Sequence, residues 1–322
     1  MIAVRLGVFM SLAVVFPAVV PAHAGYPDRP LRLIVPFPSG GNTGLIARIV
    51  SQKLAEVLGV QVVVDNRGGA GSTLGAAIAA KAAPDGYTLF LASQANAISA
   101  GLYSNLSYDI IRDFAPITML AISHHVLVAH PSLPVKSVKE LIALAKAQPE
   151  QIRFSSSGSG SSSHLAPEMF SSMAGIKLLH IPYKGGGPAI IALLSGEVSL
   201  MFSSPAPAFP YIKVGKLRGL GVSSTQRSTL LPELPTIIEA GVPGYDVATW
   251  YGLAAPAGTP MEITTRLRSE IVRILDFPDA KRLLAAEAYE PRTSTPEEYS
   301  AFTREEVEKW RRVIKSARIK VD

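Results

Sequence analysis

The sequence predicts an α/β protein of two similar lobes facing a cleft. Three observations carry that expectation. Strand-like runs alternate with helix-like runs of about ten to fifteen residues, the signature of largely parallel sheets. The second half of the chain repeats the device of the first: a short strand, a turn of Gly and Ser, then a helix. Linking segments near residues 124 and 249 divide the chain into a first lobe, 25–124 plus 249–322, and a second, 125–248. Such a double linkage suits hinge closure around a ligand. The chain has 322 residues, 48% of them hydrophobic, enough for two cores.

The elements follow in order. MIAVR carries one positive charge, LGVFMSLAVVFPAVV is apolar, and PAHA sets small residues before Gly25. That pattern predicts a secretory leader cleaved after Ala24 and a periplasmic mature chain. The apolar run falls short of the roughly 20 residues that span a bilayer, and Pro17 interrupts it. LRLIV is the first strand, PFPSGGNTG a turn, and Leu45, Ile46, Ile49, Val50, Leu54, Val57 and Leu58 form one face of a helix. VQVVVD is a strand, NRGGAGS a turn, TLGAAIAAKAA a helix and YTLFLAS a strand. HHVLVAHP reads as a buried strand, followed by a helix over 136–147 beginning near Ser137. IRFSSS then leads through SGSGSSSH into another helix. LLHIPY, VSLMFSS and LRGLGVSS are strands, and helices are expected at about 261–275, 279–286 and 296–315.

Composition removes several function classes. The absence of cysteine excludes disulfides, thiolate metal sites and cysteine catalysis. A net charge of +6 favours anionic partners, but no dense basic cluster with interleaved aromatics marks a nucleic-acid surface. The turn SGGNTGLIA has no lysine after its glycines, so it is not a Walker loop, and neither it nor GGAGSTLG has the GxGxxG spacing. No carboxylate lies within the run that holds His124, His125 and His130, and adjacent strand residues point to opposite faces, so no metal is expected there. Ser161 and His164 lie close enough to suggest a secreted serine hydrolase, the enzymatic alternative. The nucleophile elbow GxSxG is absent, however, and nothing nearby orients the histidine.

Anion recognition remains. A helix start presents unpaired N–H donors and about half a positive charge, and Gly and Ser let a ligand approach the backbone. Two such turns across a cleft could each take a carboxylate. Hydrogen bonds to a charged group contribute about 1.5–3 kcal/mol each, so four or five of them, less the cost of association, reach micromolar affinity.

A series of motifs then resembles a known family. YPDRPLRLIVPFPSGGNTGLIAR, VVVDNRGGAGSTLGA, APDGYTL, SSGSGSSSHLAPEMF, HIPYKGGGPA, MFSSPAPAFPYIKVGKLRGLGVSS, LPELPTIIEAGVPGY and TWYGLAAPAGTP follow each other over the expected mature chain. Together they resemble the Bug, or TctC-like, substrate-binding proteins of tripartite tricarboxylate transporters. The resemblance implies a two-lobed type II periplasmic-binding-protein fold (a Venus flytrap) without catalytic residues or cofactor. It implies capture of a small anionic organic ligand, expected of a monomer serving transporter subunits or a sensor kinase. By the same matching, the ligand lies between Phe37, Ser39, Gly40, Gly41, Asn42 and Thr43 in the first lobe and Ser157, Gly158, Gly160, Ser161 and His164 in the second. Ser93, Tyr183, Gly185, Ser203, Ser204 and Trp250 are expected to border the cleft.

Four positions depart from the family pattern. Its first turn usually reads PGGxxD, where this chain has Ser39 for the proline and Gly44 for the aspartate. Ser203 stands where an aspartate is common, and YDIIRDF lacks the usual proline. Fewer acids near the cleft predict a carboxylate without an amino group, a di- or tricarboxylate or an aromatic acid.

Overall fold

A computed structural model describes residues 25–39 and 41–319. The expected leader, 1–24, lies outside the described residues, as does Gly40. In chain order the elements are β1 (Leu31–Val35), α1 (Gly41–Leu58), β2 (Val62–Asn66), α2 (Thr73–Ala80), β3 (Thr88–Ser93), α3 (Gln94–Leu102), β4 (Phe114–His124) and β5 (Val126–Ala129). Then come α4 (Val138–Ala147), β6 (Arg153–Ser156), α5 (Ser162–Ala174), β7 (Leu179–Pro182), α6 (Gly186–Leu194), β8 (Leu200–Ser203), α7 (Pro205–Lys213) and β9 (Arg218–Val222). The chain closes with β10 (Ala248–Pro256), α8 (Met261–Asp276), α9 (Pro278–Ala286), β11 (Glu290–Pro291) and α10 (Pro296–Ser316).

These strands form two sheets, ordered β11-β4-β10-β3-β1-β2 and β7-β6-β8-β5-β9. In the first, β1 is parallel to β2 and β3, while β10 runs antiparallel to β3 and β4. Therefore β1, β2, β3 and β4 all end on one edge. In the second, β6 is parallel to β7 and β8, and β5 is antiparallel to β8 and β9, so β6 to β9 also share a carboxyl edge. The chain leaves the first sheet at the carboxyl end of β4 and enters the second at Val126. That residue is registered with Ser203 and Val222 at the carboxyl ends of β8 and β9. It returns through Ala248, opposite His124. The two carboxyl edges consequently face one another across a double crossing, where ligands of open α/β sheets bind.

Ser223 clamps both crossings. Its hydroxyl accepts the His125 N–H at 2.7 Å and donates to the Val247 carbonyl at 2.5 Å. Its own N–H donates to the His125 carbonyl at 2.9 Å, and Val247 N–H returns to the Ser223 carbonyl at 3.2 Å. The expected continuous strand HHVLVAHP is accordingly broken at His125, with His124 ending β4 and Val126 opening β5.

Helix positions follow their apolar stripes. In α1, Ile46, Ile49, Val50 and Leu54 are buried while Arg48, Gln52 and Glu56 face solvent. A reciprocal Thr295–Glu298 capping box starts α10, and the Ser137 hydroxyl caps α4. The core has three parts. One is continuous across both lobes, joining Phe90, Trp250 and Trp310 to Leu127, Phe154, Phe170 and Tyr245. The other two are confined, one to the α1, α8 and α9 face of the first sheet and one to the α6 and α7 face of the second. Among the described residues no helix is long and apolar enough to cross a membrane.

The shared core contains a buried carboxylate. Glu306, on α10, accepts the indole N–H of Trp250 at 2.9 Å and of Trp310 at 3.1 Å, and Lys309 pairs with its other oxygen. Both indoles are fully buried, so without Glu306 their N–H groups would be orphaned. Glu306→Ala is expected to lower unfolding stability by about 3 kcal/mol in urea titrations, from two charge-assisted hydrogen bonds lost. Glu306→Gln should recover about half.

Candidate functional site

The first turn is held from below by glycines. A Cβ on Gly75 would fall 2.7 Å from Pro36 Cα and 2.8 Å from the Arg67 carbonyl, and one on Gly68 would fall 2.7 Å from the Pro38 nitrogen. Only glycine allows the β2–α2 loop to press so closely against residues 36–38. The Asn66 amide also donates to the Phe37 carbonyl at 2.9 Å. GGAGSTLG therefore serves the neighbouring turn's shape rather than a dinucleotide. Phe37 is half-buried, Ser39 exposed, and α1 begins at Gly41, so Asn42 lies in its first turn. Thr43 is buried, with its hydroxyl 3.1 Å from the Tyr251 hydroxyl, which fixes the helix start to β10.

The second turn is a serine network. Ser157 N–H donates to Ser163 Oγ at 2.9 Å, and the two serine hydroxyls are also 2.9 Å apart. Ser161 Oγ donates to the Gly158 carbonyl at 2.6 Å. Gly158, at φ +131°, occupies backbone space unfavourable to other residues. The Gly185 N–H donates to the Ser157 carbonyl at 3.2 Å, tying the turn after β7 to the turn after β6. Tyr183 aims its hydroxyl at Glu197, 2.8 Å away, at the far end of α6. Only its backbone, bonded to the Ser156 carbonyl, belongs to this edge.

His164 is 6% exposed and stacks on His180, with ring centroids 3.8 Å apart and planes 12° apart. Its Nδ1 accepts the Gly160 N–H at 3.1 Å, and its Nε2 faces Glu168 at 3.8 Å. His180 in turn lies 2.6 Å from Ser156 Oγ and stacks on Phe154. Burial, then the neighbouring His180, lowers the His164 pKa to about 3; burial lowers that of His180 to about 4 and raises that of Glu168. The two histidines thus form a neutral floor beneath the serine turn.

The remaining expected residues divide. Ser93 is 3% exposed; its N–H donates to Asn96 Oδ1 at the start of α3. Ser203 is 1% exposed and donates its hydroxyl to the Ser204 carbonyl, while Ser204 sits half-buried at the start of α7. Trp250 is a correction. It lies in the shared core at zero exposure, edge-on to Tyr299 and Phe302, because its indole N–H is committed to Glu306. The three histidines considered for metal go to separate places: His124 faces Asp246, His125 is sealed at the crossing, and His130 meets Ser132. A cavity of about 580 Å³ lies between the lobes on the β11 and β9 side of the crossings. Ser123, His124, Pro205, Arg227, Tyr289 and Arg292 are among its lining, and neither small-residue turn is.

Sequence reasoning missed Ser163, His180 and the supporting Gly68 and Gly75. Ser163 was inside the quoted motif. His180 opens the quoted HIPYKGGGPA, but only the register of β7 with β6, pairing it with Phe154, brings it to the site.

The buried histidines set a pH dependence. His125 is lowered to about 4 by burial and then by His124. In an unfolded chain each titrates near 6.5. Between the folded and unfolded values the unfolded state binds more protons, so stability is full above about pH 6.5 and falls as pH drops toward 4. His125 and His164 each contribute at most about 1.4 kcal/mol per pH unit in that window. Urea midpoints measured from pH 4.5 to 8 should be level at the upper end and fall below 6.5; a flat profile would contradict neutral burial.

The comparisons agree with this architecture. Residues 46–319 match the family model described as "Tripartite tricarboxylate transporter family receptor" (TctC). Protein BugT of Bordetella pertussis is 36% identical over 318 residues, covering 98% of this chain and 97% of that protein. The solved structure "R. palustris Rpa4515 with adipate" is 35% identical with TM-score 0.79, covering 92% of this chain and 99% of the other. MatC (Rpa3494) from Rhodopseudomonas palustris with bound malate is 30% identical with TM-score 0.76, covering 90% and 100%. With its two sheets, two crossings and facing carboxyl edges, the chain has the two-lobed type II binding-protein fold and belongs to the tripartite tricarboxylate transporter family receptors.

Proposed function

We propose that the protein is a non-enzymatic periplasmic receptor that captures a small carboxylate lacking an amino group between the turns at 37–43 and 157–161. It would then deliver that ligand to a tripartite tricarboxylate-type transporter, with residues 25–124 and 249–322 as one lobe and 125–248 as the other. The carrying observation is the placement of both Gly/Ser turns, each opening a helix, on carboxyl edges that face across the crossings. The adipate and malate in two related structures are consistent with a carboxylate. Phe37, Ser39, Ser157, Gly158, Gly160, Ser161, Gly185 and Ser204 are exposed or half-buried and supply the contacts. Thr43, Ser93, His164 and Ser203 hold their shape from beneath.

Local geometry favours binding over hydrolysis. The Ser161 proton goes to the Gly158 carbonyl, and His164 Nδ1 is occupied by the Gly160 N–H. A histidine with a pKa near 3 is also poorly matched to general-base work at neutral pH.

Position 44 bears on the ligand's charge. A Cβ there would meet only Arg48 Nη1, at an ordinary 3.7 Å, so space does not require glycine. Gly44→Asp should fit and place a negative charge in the first turn of α1, opposing an anionic ligand. The test is calorimetry and thermal shift of the protein with carboxylates and the α-amino acids of equal skeleton. Carboxylates should stabilise and amino acids should not, and Gly44→Asp should weaken the carboxylate about tenfold, or about 1.4 kcal/mol. Preferential binding of the amino acids would refute the ligand class. Turnover of activated esters, lost in Ser161→Ala, would refute the receptor reading.

A further inference from the structure

Gln94 is the first residue of α3, directly after the carboxyl end of β3. It is 2% exposed, yet neither its amide oxygen nor its amide nitrogen has a hydrogen-bond partner among the described residues. Buried amides are almost always paired, and leaving one unpaired is destabilising. Nothing in the packing of α3 forces this. The reciprocal Ser93–Asn96 capping box starts the helix, and Asn96 reaches Ser72 Oγ at 3.1 Å, so the neighbouring polar groups are satisfied without Gln94.

Its direction is set by helical spacing. Ala97 and Ile98, three and four residues on, are buried in the shared core. Gln94 lies on their stripe one turn nearer the sheet's carboxyl edge, where the core ends and the inter-lobe gap begins. The same condition recurs two strands away. Ser123, near the end of β4, is buried with its hydroxyl unpartnered among the described residues. The carboxyl edge of β3 therefore presents the Gln94 amide together with the N-terminus of α3. The unpaired side chains themselves bring no fixed negative charge.

We propose that Gln94 is a specificity-determining residue for the far end of the ligand, and that this end carries a second carboxylate. The inference rests on the carboxylate-receptor reading above and deepens it. One carboxylate is held by the two Gly/Ser turns, and the other takes hydrogen bonds from the Gln94 amide at the sealed end. A buried amide with no protein partner is then explained by its pairing with the ligand.

The experiment compares succinate, glutarate and adipate, each against the monocarboxylate of equal chain length, by calorimetry on the wild-type protein and on Gln94→Met. Methionine has similar length and no amide. The wild-type protein should prefer at least one dicarboxylate by about tenfold or more. Gln94→Met should erase that preference, leave monocarboxylate affinity in place, and melt without ligand at the same temperature or higher. Gln94→Glu should weaken the dicarboxylate further, since it sets charge against charge. A preference kept in Gln94→Met would overturn the proposal, and so would equal weakening of both ligand types. Monocarboxylate binding without any dicarboxylate preference in the wild-type protein would overturn it while leaving the receptor function standing. Binding of no carboxylate at all would remove the receptor reading first.

Discussion

The hydroxyl and backbone of Ser223 hold the two crossing strands side by side, and most of the site's geometry depends on that. A single residue accepts from His125, donates to Val247 and pairs with the backbone of both. Because the crossings meet there, β4 ends and β10 begins at the same point, and the carboxyl edges of both sheets are brought face to face. Every small-residue turn with a chemical role then opens toward one gap.

Within the gap, rigidity is created by small residues rather than large ones. The first turn is pressed by Gly68 and Gly75 and tied by Asn66; the second is laced by Ser157, Ser161 and Ser163 over a neutral histidine stack. Flexible residue types are held in one arrangement by contacts from their neighbours, so backbone donors are set before a ligand arrives. That reduces the ordering cost of binding. Neutral histidines beneath the turn add hydrogen-bond capacity without a fixed charge, so in the proposed binding mode the ligand's negative charge would be met by helix starts.

Much of this was legible in the chain. The apolar stripes of α1 and α10 and the alternation of strand, turn and helix were strong, and they located both Gly/Ser turns. α3 was not legible, because QANAISAGL has few large apolar residues; the Ser93–Asn96 capping box and packing against α10 decide it. β4 is hidden by Pro116 and by a nearly continuous apolar run that has no period of two. Trp250 was misplaced because its partner, Glu306, is 56 residues away in sequence and known only from the fold. Gln94 gave no signal at all: an unpaired amide can be recognised only once burial and partners are known.

The division of the core has a mechanical consequence. On one face apolar packing runs unbroken between the lobes, with α10 resting on α5 and Lys309 reaching the Asp246 carbonyl near the second crossing. On the other face the two cores are separate, and the 580 Å³ cavity lies between Tyr289 of one and Val222 and Leu231 of the other. Parting the lobes on the α10 side means exposing buried hydrocarbon to water; parting them on the cavity side exposes almost none. The protein is therefore bound along one spine like a book.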